Sequence, residues 1–168
     1  LCKVTDDLYI AAFIMFSDVE ITKAAAAELL KKAPEFDIMI TAESKGIPLT
    51  YEMARQAGVN DYVVARKGAK LYMTDIVSTQ VDSITTDHIQ TLCIGGKEAS
   101  QLCGKRVLIV DDVISTGESL RSLETLVDQV GGIIVGRMAV LAEGEAADRD
   151  DIIYLEKLPV FNPDGSIK

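Results

Sequence analysis

Cysteine is scarce in this sequence: Cys2, Cys93 and Cys103 are odd in number and form no CxxC pair, so neither a disulfide framework nor a zinc site is indicated. Reduced thiols are the default expectation. Long apolar runs are lacking too. No stretch approaches 18 apolar residues and no basic segment leads into an apolar one, so no membrane span or secretory signal is visible and a cytoplasmic protein is expected. Positive charge is also in short supply. Seventeen Lys and Arg stand against 26 Asp and Glu, a net charge of −9 that argues against a nucleic-acid surface while leaving room for a local basic pocket around a small polyanion. The single histidine, His88, falls in a polar stretch where exposure is the expectation rather than catalysis.

What is present suits one compact domain over residues 1–168. At 168 residues and 48% hydrophobic composition the chain can fill a sizeable core without a second domain. The sequence opens on Leu1, in what already reads as structured chain, which leaves room for residues before it. Ser17 and Glu20 have capping-box spacing ahead of an amphipathic helix carrying Ile21, Ala25 and Leu29 to about Lys32, which Pro34 ends. Phe36 to Ile40 reads as a buried strand and Ile47 to Ala57 as a helix with Gly58 past its end. Tyr62 to Ala65, Val107 to Val110 and Ile133 to Leu141 read as further strands. Strands separated by helices imply an α/β domain with a central parallel sheet and right-handed crossovers. Thr74 to Gln90 lacks an apolar helical face and reads as an exposed hairpin or a loop over the site. The polar segment from Glu143 to Asp151 and the tail beyond it suit a hairpin or a hood over the sheet.

The most informative segment is Val107 to Ser119, VLIVDDVISTGES. Val107, Leu108, Ile109 and Val110 form an apolar run of the kind found in strands buried on both faces. Asp111 and Asp112 follow, then Ser115, Thr116, Gly117, Glu118 and Ser119, and then helical spacing in Leu120, Leu123 and Val127. In an open parallel sheet, ligands bind beyond the carboxyl ends of the strands. A loop opening a helix there offers backbone N–H groups and the positive end of the helix dipole, which suit a phosphate. Thr116 and Ser119 add hydroxyl donors, and Gly117 permits close backbone approach. Adjacent carboxylates are acceptor-only groups, fitted to hold a vicinal diol directly or around a metal. Diol and phosphate sites side by side describe a ribose 5-phosphate.

This segment resembles the 5-phosphoribosyl-1-pyrophosphate (PRPP) binding motif of the type I phosphoribosyltransferases: an apolar strand, two acidic residues, two apolar residues, then a small residue, Thr, Gly and a hydroxyl residue. Two further strand ends carry the same resemblance. Thr41 to Leu49, TAESKGIPL, is similar to the family's pyrophosphate loop, which implies contacts from Glu43, Ser44, Lys45 and Gly46 and a non-proline cis peptide at Ser44–Lys45. Pro48 is well placed in the first turn of the helix that follows. Arg66 and Lys67 follow the next strand, and the resemblance assigns them to the diphosphate, which a guanidinium can bind bidentately and an ammonium as a point charge. It covers roughly residues 36–141.

The resemblance implies a type I phosphoribosyltransferase fold, with a small hood from segments 1–16 and 143–168 and a mobile catalytic loop over residues 68–90 that closes to exclude water. It implies transfer of the 5-phosphoribosyl group from PRPP to a nitrogen of a free purine base, with Mg2+ as cofactor. The products are the nucleoside 5′-monophosphate and pyrophosphate, and a homodimer is the implied assembly. Asp111, Asp112, Lys45 and Arg66 are the implied catalytic set. Ser115, Thr116, Gly117, Glu118 and Ser119 join the PRPP-binding set, and Asp111 and Asp112 serve the metal directly or through PRPP and water.

The base is narrowed by detail. Adenine enzymes have a small residue where Ser115 stands, whereas enzymes of the hypoxanthine-guanine type usually carry an Asp there. Val81, Ser83 and Thr85 are similar to bacterial xanthine phosphoribosyltransferases. Ile89 to Leu92, Lys45 to Leu49 and Ala142 to Gly144 are similar to the PRPP-binding domain of the bacterial purine-operon repressor. The xanthine enzymes commonly carry a lysine where Gly144 stands. The repressor has a DNA-binding domain ahead of this fold, for which the residues before Phe36 leave little room. Adenine is thus the favoured base, with a xanthine enzyme or a non-catalytic PRPP-binding module as alternatives. Tyr72 could contact phosphate or anchor the loop, Phe13, Met15 and Phe16 could line a base pocket or pack the core, and Glu143 could face the base or an interface.

Overall fold

A computed structural model of the chain describes residues 1–81 and 90–168. In chain order the elements are β1 (Cys2–Thr5), β2 (Leu8–Ile10), α1 (Val19–Lys32), β3 (Ile38–Ala42), α2 (Gly46–Ala57), β4 (Val63–Ala65), β5 (Val77–Val81), β6 (Gln90–Ile94) and α3 (Gly96–Leu102). There follow β7 (Arg106–Ile114), α4 (Glu118–Gln129), β8 (Ile133–Glu143), a 3-10 helix (Gly144–Asp148), β9 (Ile153–Leu158) and β10 (Val160–Phe161). A five-stranded sheet in the order β4-β3-β7-β8-β9, parallel throughout, forms the centre.

Alternation along the central strands decides what covers each face. Val107 and Ile109 of β7 join Ile38 and Ile40 of β3 in a core completed by Leu123, Leu126 and Val127 of α4. Leu108 and Val110, one residue out of phase, join Met39 and the buried Ala25, Leu29, Leu49 and Met53 of α1 and α2. Burial of both faces explains why these strands read as unbroken apolar runs. Each fully buried Leu, Ile or Met contributes about 1.5–3 kcal/mol relative to exposure, so this double layer is the main source of stability.

Several boundaries differ from the sequence reading. β7 runs on through both aspartates to Ile114, because its ladder with β8 continues to Ile114 opposite Ala142. The cap of α1 is Asp18, whose Oδ1 accepts the Ile21 N–H at 3.0 Å. Ser17 stands at φ 66, outside the extended conformation that a capping residue adopts. α2 ends as expected, with Gly58 in the left-handed region and its N–H turned back to the last-turn carbonyls. Within the segments assigned to the hood, β1, β2 and β10 make a separate three-stranded sheet, whereas β9 is the fifth strand of the central sheet. The polar stretch from Thr74 contributes β5, which pairs antiparallel with β6. The part of the expected loop at residues 82–89, with His88, Ser83 and Thr85, lies outside the described residues. Among the described residues no helix is long and apolar enough to cross a membrane.

At the end of the sheet opposite the candidate site, Asp37 and Arg106 lock β3 to β7. The Arg106 backbone N–H donates to Asp37 Oδ2 at 2.8 Å and its Nη2 lies 2.9 Å from Oδ1, while the Asp37 N–H donates to the Arg106 carbonyl at 2.8 Å. Hydrogen bonds from the Arg106 side chain, then from its backbone, hold the Asp37 carboxyl at about 2, below its ordinary 3.8. A folded-state pKa below the unfolded one means that the pair's contribution is present above about pH 3.8 and is lost as pH falls toward about 2. Asp37→Asn should therefore lower stability at pH 7, and the gap from the unmodified chain should close across that acid window in denaturant titrations; a gap independent of pH would contradict the assignment.

Candidate functional site

β3 is the pivot of the sheet: its successor β4 lies on one side of it and β7 on the other. The β3–α2 loop therefore leaves toward one face and the β7–α4 loop toward the other, which opens a crevice between them. β3 is last paired with β7 at Ile40 opposite Ile109, whereas β7 stays paired with β8 as far as Ile114. Asp111 and Asp112 thus project from a strand whose β3-side neighbour has turned away.

Gly46, the first residue of α2, fills that opening. A Cβ on it would lie 2.2 Å from Thr41 Oγ1, 3.2 Å from Asp111 Oδ1 and 3.4 Å from the Asp111 Cα, so the absence of a side chain lets α2 start against β7. Lys45, just before it, brings its Nζ to 3.1 Å from Asp112 Oδ2. The Asp112 side chain is 4% exposed and Lys45 48%, so a half-solvated cation faces a buried carboxylate. That contact lacks hydrogen-bond geometry, and among the described residues Asp112 Oδ2 has no hydrogen-bond partner. The Asp112 N–H donates to Asp111 Oδ1 at 2.9 Å. Burial first, then the Asp112 charge, push the Asp111 carboxyl well above the usual carboxylate range.

Glu43 braces the next strand end. Its N–H donates to the Ala65 carbonyl at 2.8 Å, its Oε2 accepts the Lys67 N–H at 3.1 Å, and its Oε1 lies 3.3 Å from Arg66 Nη1. The Lys67 N–H is the main cause of a lowered Glu43 pKa, with the Lys70 and Arg66 charges assisting. As an acceptor-only group Glu43 holds the cationic edge in place. The cis peptide of this loop is Glu43–Ser44, one bond earlier than Ser44–Lys45. The sequence could not separate the two bonds, since neither contains the proline that lowers the cost of a cis bond and marks it.

Across the crevice, Gly117 at φ 78 turns the chain from β7 into α4, and Ser115 to Ser119 enclose a recess of about 50 Å³ next to Asp111. Ser115 and Thr116 also line a second cavity, of about 520 Å³, roofed by Leu8, Ile10 and Val160 of the hood sheet. Glu143, at the end of β8, faces it. Burial pushes that carboxyl up, with the Lys45 charge drawing it partly back. Arg121 and Arg149 line the same cavity. The sequence does not mark either: Arg121 falls between the apolar helix positions Leu120 and Leu123, and Arg149 lies among Asp148, Asp150 and Asp151.

The structure thus brings Glu43, Ser44, Lys45, Gly46, Arg66, Lys67, Asp111, Asp112 and the Ser115–Ser119 loop to the carboxyl ends of three adjacent strands. Other expectations separate. Met15 and Phe13 pack in the α1–α2 core, Phe16 is exposed, and none of the three lines the cavity under the hood. Tyr72 is 72% exposed. A larger cavity, of about 690 Å³, lies on the outer flank of α1 and α2 and includes none of the crevice carboxylates or cations. Among the described residues no group of three or more His, Cys, Asp or Glu forms a metal cage. The acidic pair, with one buried oxygen lacking a hydrogen-bond partner, is the carboxylate set that a hard cation could use.

Residues 17–161 match the profile of the phosphoribosyl transferase domain. The chain is 32% identical over 125 residues to an adenine phosphoribosyltransferase of Acetivibrio thermocellus, covering 73% of this chain and 70% of that one. It is 31% identical over 131 residues to the purine biosynthesis transcriptional repressor PurR of Bacillus subtilis, over 76% of this chain but only 45% of the repressor's length. The solved adenine phosphoribosyltransferase of Thermoanaerobacter pseudethanolicus superimposes with a TM-score of 0.72 at 26% identity, covering 86% of this chain and 84% of that one.

The close approach at Gly46 yields a direct test. Thr41 is fully buried and cannot swing aside, so Gly46→Ala should cost about 1–3 kcal/mol in urea or thermal unfolding, the usual range for overpacking. Unchanged stability would show that α2 does not need to start this close to Asp111.

Proposed function

The chain belongs to the phosphoribosyl transferase family and has the type I fold, and from that premise we propose that it transfers the 5-phosphoribosyl group of PRPP to a free purine, adenine first among them, releasing pyrophosphate. One observation carries the reading. An anion-sized recess, a carboxylate pair and a cationic edge lie in that order along adjacent strand ends, beside a base-sized cavity.

In this assignment the 5′-phosphate occupies the Ser115–Ser119 loop, where backbone N–H groups and hydroxyls donate to it. The ribose hydroxyls donate to Asp111 and Asp112. The diphosphate takes Lys45, Arg66 and Lys67, with Glu43 holding Arg66 in position. Lys45 is exposed enough to exchange its contact with Asp112 for the incoming diphosphate. Mg2+ dehydrates reluctantly, so it would be held largely by PRPP oxygens and water, with Asp111 and Asp112 as the protein carboxylates in reach. When bound it neutralises charge on the departing diphosphate.

Reaction breaks the C1–O bond, whose electron pair leaves with pyrophosphate, and forms a C1–N bond from the base lone pair, while the imidazole N–H proton of the base passes to the departing pyrophosphate or to water. The residues act by alignment and by offsetting charge, so catalysis rests on positioning and electrostatics. In the cavity under the hood, Glu143 as carboxylate accepts from an exocyclic amino group and repels carbonyl oxygens, which supports adenine over xanthine. Gly144 leaves that corner without the lysine expected of a xanthine enzyme. A homodimer would cover the exposed Phe16, Val19 and Tyr51 side chains; a monomer mass by light scattering would exclude it.

The resemblance to a repressor supports a second reading, a module that binds PRPP without turnover. Incubation with PRPP, Mg2+ and each of adenine, guanine, hypoxanthine and xanthine separates the two. AMP and pyrophosphate from adenine are expected; PRPP binding without product from any base would favour the module, and turnover of xanthine alone would overturn the choice of base. Asp111→Asn and Asp112→Asn should each weaken PRPP binding by about 10- to 100-fold, the loss of one or two hydrogen bonds to a charged group. Unchanged affinity would remove the pair from the ribose site.

A further inference from the structure

Arg149 follows the 3-10 helix that leads out of β8, in a segment with no motif of its own. Its guanidinium is held edge-on: Nε donates to Asp151 Oδ1 at 2.9 Å and Nη2 to Asp151 Oδ2 at 2.7 Å. Asp151 is itself anchored, since Arg137 Nε of β8 lies 3.5 Å from its Oδ2 and Arg137 pairs in turn with Glu124 of α4. A guanidinium whose Nε and Nη2 are both engaged presents its remaining nitrogen, Nη1, on the opposite edge.

That nitrogen lies over the phosphate loop. Arg149 Nη1 is 3.2 Å from the position that a Cβ on Gly117 would occupy. Gly117 therefore has two duties: its φ of 78 makes the turn into α4, and its missing side chain makes room for the guanidinium. Arg149 shares the cavity wall with Ser115 and Thr116, and its side chain is 34% exposed, so it is neither buried in the core nor free in solvent.

We propose that Arg149 is a further phosphate-binding residue of this site, closing the Ser115–Ser119 loop from the hood side, and that Asp151 is the residue that positions it. This rests on the assignment of the 5′-phosphate of PRPP to that loop. The loop's backbone N–H groups and hydroxyls belong to the turn between β7 and α4, which lines the recess. A phosphate monoester carries about −1.5 to −2 at neutral pH and three acceptor oxygens, so an oxygen turned toward the hood needs a donor from there. Arg149 supplies one that is charged and already oriented. The surroundings favour a cation here: Arg121 is the other one on this cavity wall, set against several acids. Asp111 adjoins the recess, Glu143 and Glu145 line the adjoining cavity, and the chain as a whole carries −9. Without Arg149 the phosphate would face these acids with Arg121 as the one cation left among the residues lining that cavity.

Calorimetry on the intact chain, with Mg2+ and either PRPP or inorganic pyrophosphate as probe, tests this. Arg149→Gln should weaken PRPP binding about tenfold, as for loss of one charge-assisted hydrogen bond at a partly exposed site, and leave pyrophosphate binding unchanged. Asp151→Asn, which keeps the guanidinium but releases it, should weaken PRPP binding by less, and Arg149→Lys should fall between Gln and the unmodified chain. A purely structural role for the Arg149–Asp151 pair predicts equal losses from Arg149→Gln and Asp151→Asn, for both probes, and that result would overturn the proposal. So would an Arg149→Gln variant, folded by circular dichroism, that binds PRPP as the unmodified chain does. Failure of the unmodified chain to bind PRPP at all would instead remove the assignment on which the proposal rests.

Discussion

The functional end of the molecule depends on where β3 parts from β7. Two parallel strands in register share a hydrogen-bond ladder, and as long as they do, no ligand can enter between them. Here the ladder stops at Ile109, while β7 remains supported by β8 to Ile114. Asp111 and Asp112 therefore sit on backbone that is rigid on one side and open on the other. The two loops that flank the opening leave to opposite faces because α2 and α4 pack on opposite apolar layers. The same alternation that builds the core thus sets the width and direction of the crevice, and Gly46 sets how far α2 can advance into it.

Electrostatics then divide the opening. An acidic chain concentrates cations where the loops meet: Lys45 over the buried Asp112, and Arg66 steadied by Glu43. Two carboxylates side by side in a partly desolvated place are costly, and the upward push on Asp111 records that cost. Donors from a bound sugar, or a cation carried with it, would relieve the pair. The proposed site is therefore held in a state that a polyhydroxylated polyanion completes better than water does. On the other side of the Ser115–Ser119 loop the hood sheet supplies apolar roofing from Leu8, Ile10 and Val160, with Glu143 as a half-buried carboxyl at the edge. In the proposed function, affinity for the sugar phosphate rests on the strand ends with Arg149 added from the hood side, and choice of base rests on the hood.

Legibility from sequence followed the locality of each signal. The run from Val107 to Val110 announced a strand buried on both faces, and Gly58 announced the end of α2, because each depends on neighbouring residues alone. The extension of β7 through Asp111 and Asp112 was not legible, since polar residues enter a strand only where a tertiary partner, here β8, keeps the ladder going. Ser17 and Asp18 are both good caps, and only the backbone conformation at the helix entry chose the second. β9 lies in the tail beyond the polar Glu143 to Asp151 segment that suits a hairpin or hood; its place at the edge of the central sheet comes from pairing with β8. The residues of the candidate site were legible as three motifs at three strand ends. Their convergence, the bracing role of Glu43 and the reach of Arg149 needed the fold, for they join residues far apart in sequence.

A crystal structure of the chain with PRPP and Mg2+ tests the central claim most directly. The account predicts the 5′-phosphate within hydrogen-bond distance, about 2.7–3.2 Å, of the Ser115–Ser119 loop, with the ribose hydroxyls on Asp111 and Asp112 and the diphosphate toward Lys45, Arg66 and Lys67. PRPP bound the other way round, or seated in the cavity beside α1 and α2 with the crevice empty, would contradict it.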